Sequence, residues 1–110
     1  MKGSTQMHQE LVDKILLALA RSGRARVWKN VVGRGRALHD PKRIISFGLV
    51  GSCDITGIRD DGKRIELEVK TGQAVQTVEQ IAYGRMISQF HGIHAVCRSV
   101  DDALRAVLGD

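Results

Sequence analysis

Cysteine, proline and aromatic residues are all scarce in this chain: two cysteines, one proline, and one Trp, one Tyr and two Phe in 110 residues. Cys53 and Cys97 have no CxxC spacing, so neither a disulfide framework nor a zinc site is expected, and both thiols read as small core residues of a cytosolic chain. Trp28, Phe47, Tyr83 and Phe90 are too few and too scattered to make a stacking platform for single-stranded bases. No apolar run approaches the ~20 residues of a membrane span, and the N-terminus lacks a signal-like apolar segment. No membrane partner is therefore expected, and the expected location is cytoplasmic. A GxxxxGK phosphate loop is missing too, which argues against nucleotide-driven chemistry. His8, His39, His91 and His94 show neither i, i+4 pairing nor a cysteine at zinc spacing, so each reads as a surface or half-buried histidine.

Positive charge, by contrast, is plentiful. Seventeen Lys and Arg against twelve Asp and Glu give a formal charge of +5 and a pI of about 9.7, which favours an anionic partner. With few aromatics, the backbone phosphates of a duplex suit this charge best. Neutralising about five phosphates would give a log–log salt slope of about −4 to −5. The length implies a single domain, 1–110, able to bury roughly two thirds of its unfolded surface. There is no repeat or linker, and residues 1–4 are polar and expected to be disordered.

The stretch Gly51–Lys70 organises the rest. Alternating apolar residues on either side of Asp60-Asp61-Gly62 predict a β-hairpin. In the second strand Ile65, Leu67 and Val69 share one face, while Arg64, Glu66, Glu68 and Lys70 share the other. A three-residue loop with Gly62 left-handed sets Asp54 opposite Glu68 and Ile55 opposite Leu67. A two-residue turn would instead pair Ile55 with Glu68 and mix charge with core. The three-residue register gathers Asp54, Glu68 and Lys70 on one patch. Two adjacent carboxylates call for a hard cation such as Mg²⁺, and the Val69 carbonyl can add a third oxygen. Lys70 can position a water or stabilise negative charge on a phosphate, so the set suits phosphodiester hydrolysis. The same pattern also fits an exposed strand face with charges paired across it.

Before this stretch, Met7, Leu11, Val12, Ile15, Leu16 and Leu19 predict an amphipathic helix over 5–22 ending at Ser22-Gly23. Glu10 lies at the border of its apolar stripe, either solvated or a further carboxylate near the metal. Residues 26–32 read as a strand. The segment 33–43 reads as a loop dense in glycine and cations, whose Arg34, Arg36, Lys42 and Arg43 are candidates for phosphate contacts; a merely solvated basic loop is the other reading. Residues 44–47 read as a short strand.

After the hairpin, Thr77 caps a helix whose buried side is expected to comprise Val78, Ile81, Ala82, Met86, Ile87 and Phe90, with Gly92 as its stop. Gln80, in its first turn, can point at the open end of the hairpin. Residues 93–97 form a buried strand, and Ser99-Val100-Asp101-Asp102 is a capping box opening a last helix through Leu108. The order is helix, three or four strands, helix, strand, helix, giving a mixed sheet with helices packed on it.

With Asp54, Glu68-Val69-Lys70 and Gln80 in place, the chain resembles the PD-(D/E)XK nuclease superfamily, and within it the VRR-NUC, or virus-type replication-repair, nucleases. The likeness spans nearly the whole chain: Glu10, Gly48-x-x-Gly51-x-x-Asp54, Asp61-Gly62, Glu68-Val69-Lys70, Gln80-x-x-Tyr83 and the closing Val96–Leu104. It departs at Cys53, where the superfamily has its proline, and at Val50, where prolines are common. The resemblance implies a restriction-endonuclease-like α/β core in the order α-β-β-β-α-β-α. It implies a Mg²⁺ or Mn²⁺ site at Glu10, Asp54, Glu68 and the Val69 carbonyl, with Lys70 and Gln80 around the attacking water. It further implies a viral or bacterial homodimer that cuts branched DNA, similar to Holliday-junction resolvases, since a two-fold junction needs two sites related by a two-fold axis. A flap or linear-duplex nuclease with the same site, and a basic DNA-binding module that never cuts, are the alternatives.

Overall fold

Helix α1, Ser4–Ser22, forms where apolar residues recur every three to four positions, and it buries Val12, Ile15 and Leu19 along one stripe. It stops where Gly23 turns left-handed and donates its N–H to Ala20 O. The structure is a computed structural model that describes residues 3–31, 33–37, 40–47 and 51–109; for 33–37, 40–41 and 43–47 it describes the backbone. Ser4 already belongs to α1, so the expected disorder does not extend to it, and Met1 and Lys2 lie outside the described residues.

Five strands precede the second helix: β1 Ala25–Lys29, β2 Gly33–Ala37, β3 Asp40–Phe47, β4 Ile55–Arg59 and β5 Arg64–Val69. Then come α2 Val78–Gln89, β6 Ile93–Cys97 and α3 Val100–Leu108. A four-stranded mixed sheet runs β1-β4-β5-β6, antiparallel except for the parallel β5–β6 pair. Apart from the β2–β3 ribbon, the order is α-β-β-β-α-β-α, an α/β architecture compatible with a restriction-endonuclease-like core. Among the described residues no helix is long and apolar enough to cross a membrane.

The hairpin register agrees with the alternation: Ile55 pairs with Leu67 and Ile58 with Arg64. Asp60-Asp61-Gly62 is the three-residue loop, with Gly62 at φ 89° and Arg59 N–H on Lys63 O at 2.8 Å. One face of the sheet is dry. There Ile55, Ile65, Leu67 and Val69 pack with Val12, Ile15 and Leu19 of α1 and with Ala103 and Val107 of α3. The opposite face carries α2 through Tyr83 and Ile87, together with Cys53. Both cysteines are buried and free, and Cys53 lies just outside β4.

Three expectations need correction. The segment 33–43 is not a loop: β2 and β3 pair antiparallel in a ribbon of their own, with a register shift between Arg36 and Ala37. Ladder bonds are backbone bonds, so glycine and cations do not forbid a ribbon, and Pro41 is admissible in a two-stranded one. The strand expected over 26–32 ends at Lys29, and the one expected over 44–47 starts at Asp40. Finally, α2 buries only part of the predicted side: Ile87 is buried and Met86 half-buried as expected, Tyr83 and Gly84 face inward with them, and Val78, Ile81, Ala82 and Phe90 are exposed. Gly84 explains this choice, because a Cβ there would meet the His94 ring at 2.3 Å; α2 lies so close to β6 that the helix must turn its glycine inward. Its stop also comes earlier than Gly92. His91 takes the left-handed position at φ 68°, and the His91 and Gly92 amides donate to Ser88 O and Ile87 O.

Candidate active site

Asp54 stands at the entrance to β4, held there by its neighbours. The Asn30 N–H donates to Asp54 O at 2.8 Å, and the Asn30 side chain donates to Cys53 O and Ser52 Oγ at 2.9 and 3.0 Å. Asp54 Oδ2 in turn accepts the Val69 N–H at 2.8 Å, which ties the carboxylate to the end of β5. Glu68, one residue earlier on β5, is 3% exposed. Its Oε1 accepts from Gln80 Nε2 at 3.0 Å and faces Lys70 Nζ at 3.7 Å. Its Oε2 is buried with no hydrogen-bond partner. Burial, and then the neighbouring Asp54 carboxylate, push the Glu68 carboxyl up to about 7, against the pull of Lys70. Cys53 beside them stays a thiol, since burial and the carboxylates of Glu68, Glu66 and Asp54 raise it far above its ordinary value.

Gln80 reaches Glu68 because the first turn of α2 is fixed twice. Thr77 Oγ1 accepts the Gln80 N–H at 3.1 Å, while Gln80 Oε1 accepts the Thr77 N–H at 2.9 Å, a reciprocal capping box. The same side-chain amide therefore caps the helix with its oxygen and holds Glu68 with its nitrogen. Gly51, at φ 82°, lets this turn come close: a Cβ there would meet the Glu79 carbonyl at 2.4 Å.

Asp54, Glu68, Val69, Lys70 and Gln80 are thus brought together as expected. Glu10 lies on α1. It is half-buried and lines an open cavity of about 610 Å³ shared with Lys14, Lys70 and Arg98. Among the described residues no three His, Cys, Asp or Glu side chains are grouped closely enough to hold a metal, so the expected trio Glu10, Asp54 and Glu68 does not form one. Instead α1 presents His8, whose Nε2 lies 3.0 Å from Val69 O and 3.5 Å from Asp54 Oδ2. His8 was set aside for lack of a second ligand at helical spacing; its neighbours come from β4 and β5, which spacing along α1 cannot reveal. Of the basic residues, Lys42 is exposed on β3, and the side chains of Arg34, Arg36 and Arg43 lie outside the described residues.

Two glutamates share one face of β5, and only Glu68 belongs to this site. Glu66, fully buried, accepts from Tyr83 OH at 2.6 Å on Oε1, and from Thr56 Oγ1 and Arg64 Nε on Oε2. The contrast decides whether the residues present fit a divalent cation. Glu68 Oε2 is buried beside a second carboxylate with no hydrogen-bond partner, and an oxygen-rich set of Asp54, Glu68 and the Val69 carbonyl suits a hard ion. They fit. No model of a known protein family matches this chain, and no curated protein matches it.

Proposed function

We propose that the protein is a divalent-metal-dependent, structure-selective DNA endonuclease that hydrolyses phosphodiester bonds, acting on four-way junctions as Holliday-junction resolvases do. The observation that carries this reading is Glu68: a carboxylate beside Asp54, braced by Lys70 and Gln80, with one buried oxygen left unpartnered. Asp54, Glu68 and the Val69 carbonyl would hold Mg²⁺ or Mn²⁺, which supplies Lewis-acid activation of water and charge neutralisation at the phosphate.

The remaining chemistry belongs to the chain. Gln80 fixes one oxygen of Glu68 and so directs the other toward Asp54. Lys70, largely buried, keeps its ammonium at the edge of the carboxylate pair, where it orients the attacking water and stabilises negative charge on the scissile phosphate. Binding comes from phosphate contacts, with the β2–β3 ribbon and its Arg34, Arg36, Lys42 and Arg43 as the contact element and a net charge of +5 behind it. Cutting both strands of a two-fold junction needs a homodimer, because one small domain carries one site. The protein works in the cytoplasm and is of viral or bacterial origin, as its resemblance to VRR-NUC nucleases implies.

A DNA-binding module that never cuts is the second reading. Its support is that, among the described residues, no three acidic, histidine or cysteine side chains form a metal group. Incubation of four-way junction, flap, splayed-arm and linear duplex DNA with the protein separates the two. Nicks that need Mg²⁺ or Mn²⁺, favour the junction and vanish in Asp54→Ala and Lys70→Ala support the nuclease. Tight binding without cleavage of any substrate supports the module.

A further inference from the structure

We infer that His8 is a ligand of the cation site, joining Asp54 and the Val69 carbonyl, and that it biases the site toward nitrogen-accepting metals such as Mn²⁺ over Mg²⁺. The inference rests on the metal-dependent reading above and assigns a residue that this reading does not contain.

The distances carry it. His8 Nε2 stands 3.0 Å from Val69 O and 3.5 Å from Asp54 Oδ2, and that same Oδ2 accepts the Val69 N–H at 2.8 Å, so the nitrogen has two oxygens within ligand-to-ligand distance. Ligand atoms about 2.1–2.2 Å from a common ion, and about 90–110° apart around it, lie roughly 3.0–3.5 Å from one another. A hydrogen bond from a protonated Nε2 to Val69 O joins two of these atoms without a metal. A cation would take the place of that proton, with the imidazole neutral and its proton on Nδ1. A second observation points to a ligand at the same place. Glu68, 3% exposed and adjacent to Asp54, keeps Oε2 buried and unpartnered, although Gln80 and Lys70 serve its other oxygen.

The donor set then determines the metal. Mg²⁺ binds oxygen and parts reluctantly with its water, whereas an imidazole nitrogen strengthens binding of first-row transition ions. A helix-to-strand tether is the competing role for His8, since a hydrogen bond from α1 to the end of β5 would stabilise the fold and do nothing else.

The test is Mn²⁺ binding followed by pulsed electron paramagnetic resonance on the full chain, prepared with ordinary and with isotopically labelled histidine. Bound Mn²⁺ is expected to couple to an imidazole nitrogen. That coupling should respond to the label, disappear in His8→Gln and persist in His91→Asn, a change at an exposed histidine. By calorimetry the wild type is expected to bind Mn²⁺ at least about tenfold more tightly than Mg²⁺, a ratio that collapses in His8→Gln. Mn²⁺ that binds in an Asp54-dependent way without nitrogen coupling overturns the role of His8 and leaves the nuclease reading intact. Failure of Mn²⁺ to bind in an Asp54-dependent way overturns both. The spectrum of the wild type alone keeps the inference testable should His8→Gln fold poorly.

Discussion

Glu66 and Glu68 sit two residues apart on one face of β5, both buried, and their surroundings could hardly differ more. Three side chains, Tyr83, Thr56 and Arg64, close around Glu66 and use both of its oxygens. At Glu68 the partners serve a single oxygen, and the other faces a second carboxylate's neighbourhood with nothing bonded to it. A saturated buried carboxyl group locks α2 to the sheet, whereas an unsaturated one is destabilising by itself. The lesson is that burial and charge alone do not distinguish two glutamates on one strand face. The count of satisfied oxygens does.

The widest separation between the two ends should appear when each carboxyl group is removed. Glu68→Gln and Asp54→Ala are expected to lower cleavage by roughly 10³-fold, in line with removing a central polar group from a catalytic site, while the metal-free thermal midpoint of Glu68→Gln falls no lower than that of wild type. Glu66→Ala should do the reverse. Leaving Tyr83 and Thr56 without their acceptor and a cavity behind should cost about 3–5 kcal/mol in a denaturant titration, with the folded fraction still able to cut. A Glu66 variant that folds normally and has lost cleavage would break the comparison.

A smaller step is Tyr83→Phe, which deletes one bond to the buried carboxyl group. It should cost about 1.5–3 kcal/mol of stability and leave the cleavage rate within a few-fold of wild type.

Dependence on pH sharpens the contrast from the other side. Burial and Asp54 raise Glu68 to about 7, so the metal-free folded chain holds a proton on it that the unfolded chain has already lost. That contribution to stability is complete below the unfolded value near 4.5 and disappears as pH rises through about 7. Metal-free wild type should therefore lose stability relative to Glu68→Gln between about pH 5 and pH 8, as read by thermal midpoints, and added Mn²⁺ should reverse the loss at the upper end.

The smallest effect is expected from Thr77→Ala. Loss of the cap should cost about 1 kcal/mol because the Gln80 N–H loses its acceptor, and cleavage should stay within a few-fold of wild type because the Thr77 N–H still holds Gln80 Oε1.

Much of this was legible in the chain because it obeys short periods. Strand alternation and the Asp60-Asp61-Gly62 turn determined which side chains of β4 and β5 meet, since a slip of one residue would have turned Glu68 into the core. Thr77, Ser99 and Gly23 marked helix ends through their own backbone chemistry. The inward face of α2 was not legible, because apolar residues occur all around it. The selection came from Gly84 lying against His94 and from Tyr83 reaching Glu66, two contacts between segments distant along the chain.

The amino-acid order thus settled the mixed α/β plan and the meeting of Asp54, Glu68 and Lys70, because neighbours across a hairpin are fixed by local geometry. Tertiary packing alone decided that Glu66 is sealed, that one oxygen of Glu68 is left open, and that His8 faces Asp54. Those outcomes depend on the angle at which α1 and α2 cross the sheet, and that angle is set by the sum of contacts across the whole interface, which no short stretch of sequence encodes.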